Sequence, residues 1–320
     1  MLGAAPSPRE ARLWGDQRRG ALAGRRKPKH GFGALIASMR KHAARSAIGT
    51  AAPGLDAQDE AGKVSFGMPH IDEAIGGGLP RGALHEVFGA RAADGVAAAA
   101  FGLGLACRAS GADRPILWVR QDMVAREYGE LYGPGLQEFG LSPEKMVLVR
   151  LRDGLQALRA GHEALRCSAL GAVVIELWGN PKALDLRATQ KLARAAARSR
   201  VSVFLIRIMG QAQPSAALSR WSVAALRSGP PELSLKDVIG KEAPMGAPAS
   251  ALFGPGLPAF RLDLLRHRAG FPPRCWHVEW NCERLIFQEP ALSRAVAALP
   301  ADRPAAPGGP VAPLVWRRAG

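Results

Sequence analysis

Residues 84–100, LHEVFGARAADGVAAAA, have the layout of a phosphate-binding loop: an apolar run that reads as a strand, a Gly-containing turn, then a run that reads as a helix. A loop of the form G-x-x-x-x-G-K-[ST] reaches the β- and γ-phosphates with its Lys and holds magnesium with its hydroxyl. With Gly95 as the second glycine, the first glycine position is Ala90, the Lys position is Val96 and the hydroxyl position is Ala97. Without the Lys, bound nucleotide loses its main point charge and the transition state its stabilisation. Without the hydroxyl, magnesium loses a ligand. Gly89, Ala90, Arg91, Gly95, Val96 and Ala97 therefore read as the shell of a nucleotide loop, with no cofactor expected. The alternative has Arg91 lying across the phosphates while backbone N–H groups still cradle them.

Other residues capable of chemistry are scattered. The four cysteines (Cys107, Cys167, Cys275 and Cys282) form no C-x-x-C pair, and only the last two are near each other, with His277 between them. Reduced thiols are expected rather than a zinc site, and His277 reads as a strand position. Arg187, Lys191, Arg194 and Arg198 recur at spacings of 3 or 4 along one helix. That stripe serves either phosphate binding or a solvated face. Trp221, beside Arg220 in SRWSV, reads as core packing or as a surface that stacks on a base or a partner.

Charge narrows the partners. The 320-residue chain carries a net +16, and its first 50 residues hold 11 Lys/Arg against two acids, among them Arg25, Arg26, Lys27, Lys29, Arg40 and Lys41. Such an excess favours a polyanion, most often nucleic acid bound without sequence preference. No secretory or membrane-spanning segment is read from the chain, so a cytoplasmic, nucleoid-associated protein is expected. The Arg-rich start reads as a basic arm, or as sequence preceding a natural start at Met39.

These residues need elements to place them. Residues 1–31 read as a disordered arm and 32–62 as a short basic helix and linker. Over 63–227, apolar β-branched runs (82–89, 114–120, 145–151, 171–179, 200–208) alternate with helical stretches near 95–109, 153–167 and 183–199. A broken helix is expected over 123–139. That alternation predicts βαβ units and a parallel sheet buried on both faces. A Pro/Gly-rich loop (228–257) leads to a small antiparallel extension (258–290) with strands near 259–267, 274–281 and 284–287, and a flexible tail covers 291–320. The tail ends in LVWRR, where Leu314, Trp316, Arg317 and Arg318 could form a docking peptide, or Trp316 could fold back onto the extension.

The segment VSFGMPHIDEAIGGGLPRGALHEVFG and the order of elements after it resemble the RecA/RadA/KaiC-like ATPase core. The resemblance implies an α/β fold, a P-loop NTPase core with a mainly parallel sheet. It also places Gln121 at the catalytic acid position and Glu176 at the magnesium-binding one. Without its Lys and hydroxyl upstream, Glu176 reads as a strand-end surface acid. Within that superfamily the chain resembles the ImuA family over 32–290, most closely at 63–100 and 260–287. The supporting segments include LIASMRKHAARSAIG, ALSRWSVAAL (217–226) and the extension. That likeness implies a non-catalytic accessory protein of bacterial SOS mutagenesis and translesion synthesis. Its implied partners are an ImuB-like Y-family protein, an error-prone replicative-type DNA polymerase α subunit, RecA and DNA. The rivals are a RecA-type DNA-dependent ATPase and a SulA-like cell-division inhibitor.

Overall fold

The computed structural model describes residues 62–228 and 256–290. The arm, basic helix, Pro/Gly-rich loop and tail lie outside them, and with them Arg25, Arg26, Lys27, Lys29, Arg40, Lys41, Leu314, Trp316, Arg317 and Arg318.

A short strand β1 (Lys63–Val64) pairs with β2 (Leu79–Pro80), and helix α1 (Pro69–Ala74) lies between them. Gly76, Gly77 and Gly78 end that helix at φ of 76°, 94° and 109°, backbone that a side chain would strain. The main sheet then builds from β3 (Leu84–Gly89), β4 (Ile116–Gln121), β5 (Met146–Leu151), β6 (Ala172–Trp178), β7 (Ser202–Ile208), β8 (Ser219–Ala225), β9 (Ala259–His267), β10 (Arg274–Asn281) and β11 (Ile286–Gln288). Its order is β11-β10-β9-β8-β3-β7-β6-β4-β5, one sheet of nine strands. The six from β8 to β5 are parallel, and β9 to β11 add antiparallel to the β8 edge. This is the α/β architecture the sequence predicts, with the extension continuing the same sheet. The segment 217–226 supplies β8 and so joins the two parts.

The strands alternate side chains between two buried faces. Val87, Trp118, Val174, Phe204 and Ile206 meet α2 (Gly95–Ser110) on one face. Leu84, Leu117, Val119, Val173, Ile175, Val203 and Leu205 meet α5 (Gly154–Ala164) and α6 (Leu186–Ser199) on the other. Two short helices, α3 (Asp122–Tyr128) and α4 (Gly133–Glu138), make up the broken helix expected over 123–139. Helices α5 and α6 begin later than the periodicity alone indicates, because Asp153 and Asp185 cap them by accepting from the N–H of Gln156 (2.8 Å) and Ala188 (2.7 Å).

Helix α2 lies close to the sheet because its small residues allow it. A Cβ on Gly102 would stand 2.8 Å from Ile206 Cδ1, and one on Gly104 would stand 2.9 Å from Phe287 Cζ. The stretch Ala92–Ser110 has the length and hydropathy of a membrane span, yet most of it is buried in this core. Phe66, Phe101, Trp221, Trp280 and Phe287 form an aromatic cluster that joins the extension to the parallel part, with ring centroids 4.8 to 6.1 Å apart.

Candidate functional site

Strand β3 ends at Gly89, a 3-10 turn covers Ala92–Asp94, and α2 starts at Gly95. Strand, turn and helix are thus all in place. Three backbone donors of the turn, the N–H groups of Ala90, Arg91 and Asp94, are already engaged within the protein. Asp94 is 1% exposed, and its carboxylate accepts from the N–H of Arg91 (3.1 Å) and the N–H of Ala225 (3.0 Å). The Arg91 guanidinium folds back on the same carboxylate, with Nε 2.8 Å from Oδ2. Ala90 N–H donates to Val223 O at 2.8 Å, and Asp94 N–H to Arg91 O at 3.0 Å. The Arg91 hydrogen bond leads the effects that hold the Asp94 carboxyl below the usual carboxylate range. A negative charge therefore sits in the turn where a phosphate would have to come.

Tyr128, from α3, covers the first turn of α2. Its hydroxyl donates to Ala92 O, and a Cβ on Gly95 would fall 2.8 Å from the ring. Val96 is 58% exposed at the Lys position, and Ala97 is buried at the hydroxyl position. The remaining crevice, lined by Gly95, Val96, Arg120, Tyr128 and Tyr132, measures about 240 Å³. Small-molecule pockets usually begin near ~300 Å³.

Gln121 and Glu176 come to the same end of the sheet, as the resemblance implies. Gln121 accepts the Trp178 N–H at 3.0 Å, which ties β4 to β6. Glu176 corrects the reading of a surface acid. It is buried, and its Oε2 accepts from Arg120 Nε at 2.8 Å and Trp118 Nε1 at 3.1 Å. Burial raises its carboxyl pKa, and Arg120 opposes that shift. With its carboxylate bound to a guanidinium, Glu176 is occupied as a structural ion pair.

The other predicted residues lie elsewhere. Arg187, Lys191, Arg194 and Arg198 are exposed along α6, on the opposite face of the sheet. Trp221 is fully buried in the aromatic cluster, and its indole donates to Ser219 Oγ at 2.8 Å. Its role in this fold is packing, and the reading as a stacking surface is corrected. Arg220 turns inward and donates to Glu86 Oε2 at 2.8 Å. The four cysteines are free, and no cluster of three potential metal ligands occurs among the described residues. His277 is exposed on strand β10.

Sequence reasoning missed two features. Glu86 is a buried centre on β3, contacted by Arg220 and Ser215, with Arg207 Nη1 at 3.7 Å from its Oε1. Arg207 and Arg220 stand over the Phe88 ring at 5.4 and 5.7 Å. The available signal was a charged residue inside each of two apolar strands, LHEVF and FLIRI. The second was Asp94, for which the Arg-x-x-Asp spacing in RAAD was the only hint.

No protein-family model matches the chain. The chain is similar to Protein ImuA of Caulobacter vibrioides, in two strains, at 36% identity over 226 residues, covering 65% of this chain and 80% of each relative. Among solved structures it is similar to the RadB recombinase, at 17% identity and a TM-score of 0.43, over 69% of this chain and 97% of that one.

Proposed function

The chain belongs to the ImuA family, and from that membership we propose that it is a non-catalytic adaptor in damage-induced mutagenesis. It serves error-prone lesion bypass in the cytoplasm, bringing together an ImuB-like Y-family protein and an error-prone polymerase α subunit, with RecA and non-specific DNA as further contacts. The observation that supports a non-catalytic role is the occupied loop. Asp94 takes the N–H groups of Arg91 and Ala225, Tyr128 covers Gly95, and Glu176 is bound to Arg120. An ATPase needs a turn open to phosphate, a Lys on the γ-phosphate and an acid free to hold magnesium. None of the three conditions is met by the residues present.

The test combines ligand binding with genetics. Millimolar ATP and magnesium should raise the melting temperature by no more than about 1 °C, since a ligand without differential affinity adds no stability. In cells, deleting the gene should abolish damage-induced mutation, and an Arg91→Ala allele should support mutation at the full rate. A saturable ATP-dependent shift that Arg91→Ala removes, together with loss of mutagenesis in that allele, would establish the ATPase rival. Filamentation on overproduction in cells lacking the mutagenic polymerase would establish the cell-division inhibitor instead.

A further inference from the structure

Away from the occupied loop, α5 and α6 pack on the opposite face of the sheet, and between them runs a groove of about 600 Å³. Its floor is apolar. Leu158 and Leu192 are buried there, and Leu155 stands 44% exposed at the start of α5. Arg159, Arg187 and Lys191 line the groove, and none has an ion-pair partner among the described residues. The two carboxylates of the lining are already engaged. Asp185 caps α6 through the Ala188 N–H, and Glu163 accepts from Arg166 at 2.8 Å. The groove thus combines an uncovered leucine with three cations that form no ion pair among the described residues.

We propose that this groove docks a short acidic segment of a protein partner, which seats a leucine or phenylalanine on the apolar floor and sets its carboxylates against Arg159, Arg187 and Lys191. Charge complementarity selects the occupant. A phosphate backbone supplies negative charge but no apolar group to cover Leu155. A peptide satisfies both requirements, and a helix or strand with alternating acidic and apolar positions is the common form of such ligands. The site is separate from the loop that carries the adaptor reading. It deepens that reading by giving the class of partner segment.

The probe is a library of random 16-residue peptides displayed on phage and selected on the immobilised full-length protein. Enriched peptides should be net acidic and carry leucine or phenylalanine. As synthetic peptides, their affinity should fall at least about tenfold for Arg187→Glu with Lys191→Glu, and similarly for Leu155→Asp. All three positions are exposed, and thermal unfolding of each variant should match the parent. Peptides that are basic, or indifferent to these substitutions, would overturn the proposal, as would no enrichment. A 20-nucleotide single strand whose binding is lost in Arg187→Glu with Lys191→Glu but kept in Leu155→Asp would make the face a nucleic-acid site instead. A dimer dissolved by the same substitutions in sedimentation would make the occupant a second copy. These outcomes are read on the purified protein, so they stand apart from the ATP and mutagenesis results.

Discussion

Asp94 does within the protein part of what a bound phosphate does in a working loop: it accepts from the backbone N–H of Arg91 in the turn between strand and helix, and from that of Ala225 at the end of β8. An internal acceptor needs no ligand, so the turn is satisfied in the free protein. Replacing it leaves two part-buried backbone donors without their partner, which costs about 1–3 kcal/mol. Asp94→Ala should therefore lower stability by that amount in urea unfolding at neutral pH. Installing Val96→Lys with Ala97→Ser in the same protein should still give no ATP-dependent thermal shift, because Asp94 and Tyr128 remain in place. A second residue sets the acid limit. His85 is buried on β3 beside Ser219, and desolvation lowers its pKa from 6.5 to about 4. The unfolded chain then binds the proton more readily between those values. Stability is complete above pH 6.5 and falls as pH drops toward 4, by up to about 3 kcal/mol. Urea midpoints at pH 7.5 and pH 5 should show the loss, and His85→Gln should flatten the slope.

At the scale of elements, helix α2 and the pair β4–β6 carry the consequences of small residues and buried charge. Gly104 lets α2 meet the extension, with Phe287 Cζ and Trp280 Cε3 only 2.9 and 3.1 Å from where a Cβ would stand. Gly104→Val should force the ring cluster apart and cost about 1–3 kcal/mol, visible as a lower melting temperature and altered tryptophan fluorescence. Between β4 and β6, Arg120→Ala would strand the Glu176 carboxylate in a buried site, a loss of about 3–5 kcal/mol. Arg120→Met with Glu176→Gln should recover much of it, because both charges leave together. If the double variant is no better than the single, the pair has a role beyond mutual compensation.

For the whole molecule, the sheet continues from β8 into β9 without a gap, and Phe66, Trp221, Trp280 and Phe287 bury one another across that join. Phe287→Ala should cost about 3–5 kcal/mol, and a chain ended at residue 228 should be recovered insoluble because Trp221 and Phe101 lose their cover. The sequence by itself determined the class of the fold. Apolar runs alternated with helices, and the missing Lys and hydroxyl at Val96 and Ala97 were visible in a window of a few residues. Such signals are local, so periodicity and spacing carry them. Only the tertiary structure decided how the loop is closed and which charges are buried. Asp94 meets Ala225 across 131 positions, Glu86 meets Arg220 across 134, and Arg120 meets Glu176 across 56. The sheet order makes those pairs, since it sets β3 beside β8 and β4 beside β6 although neither pair is adjacent in the chain. A buried charge needs its partner within a few ångströms, and the order of strands, not the spacing of residues, supplies it.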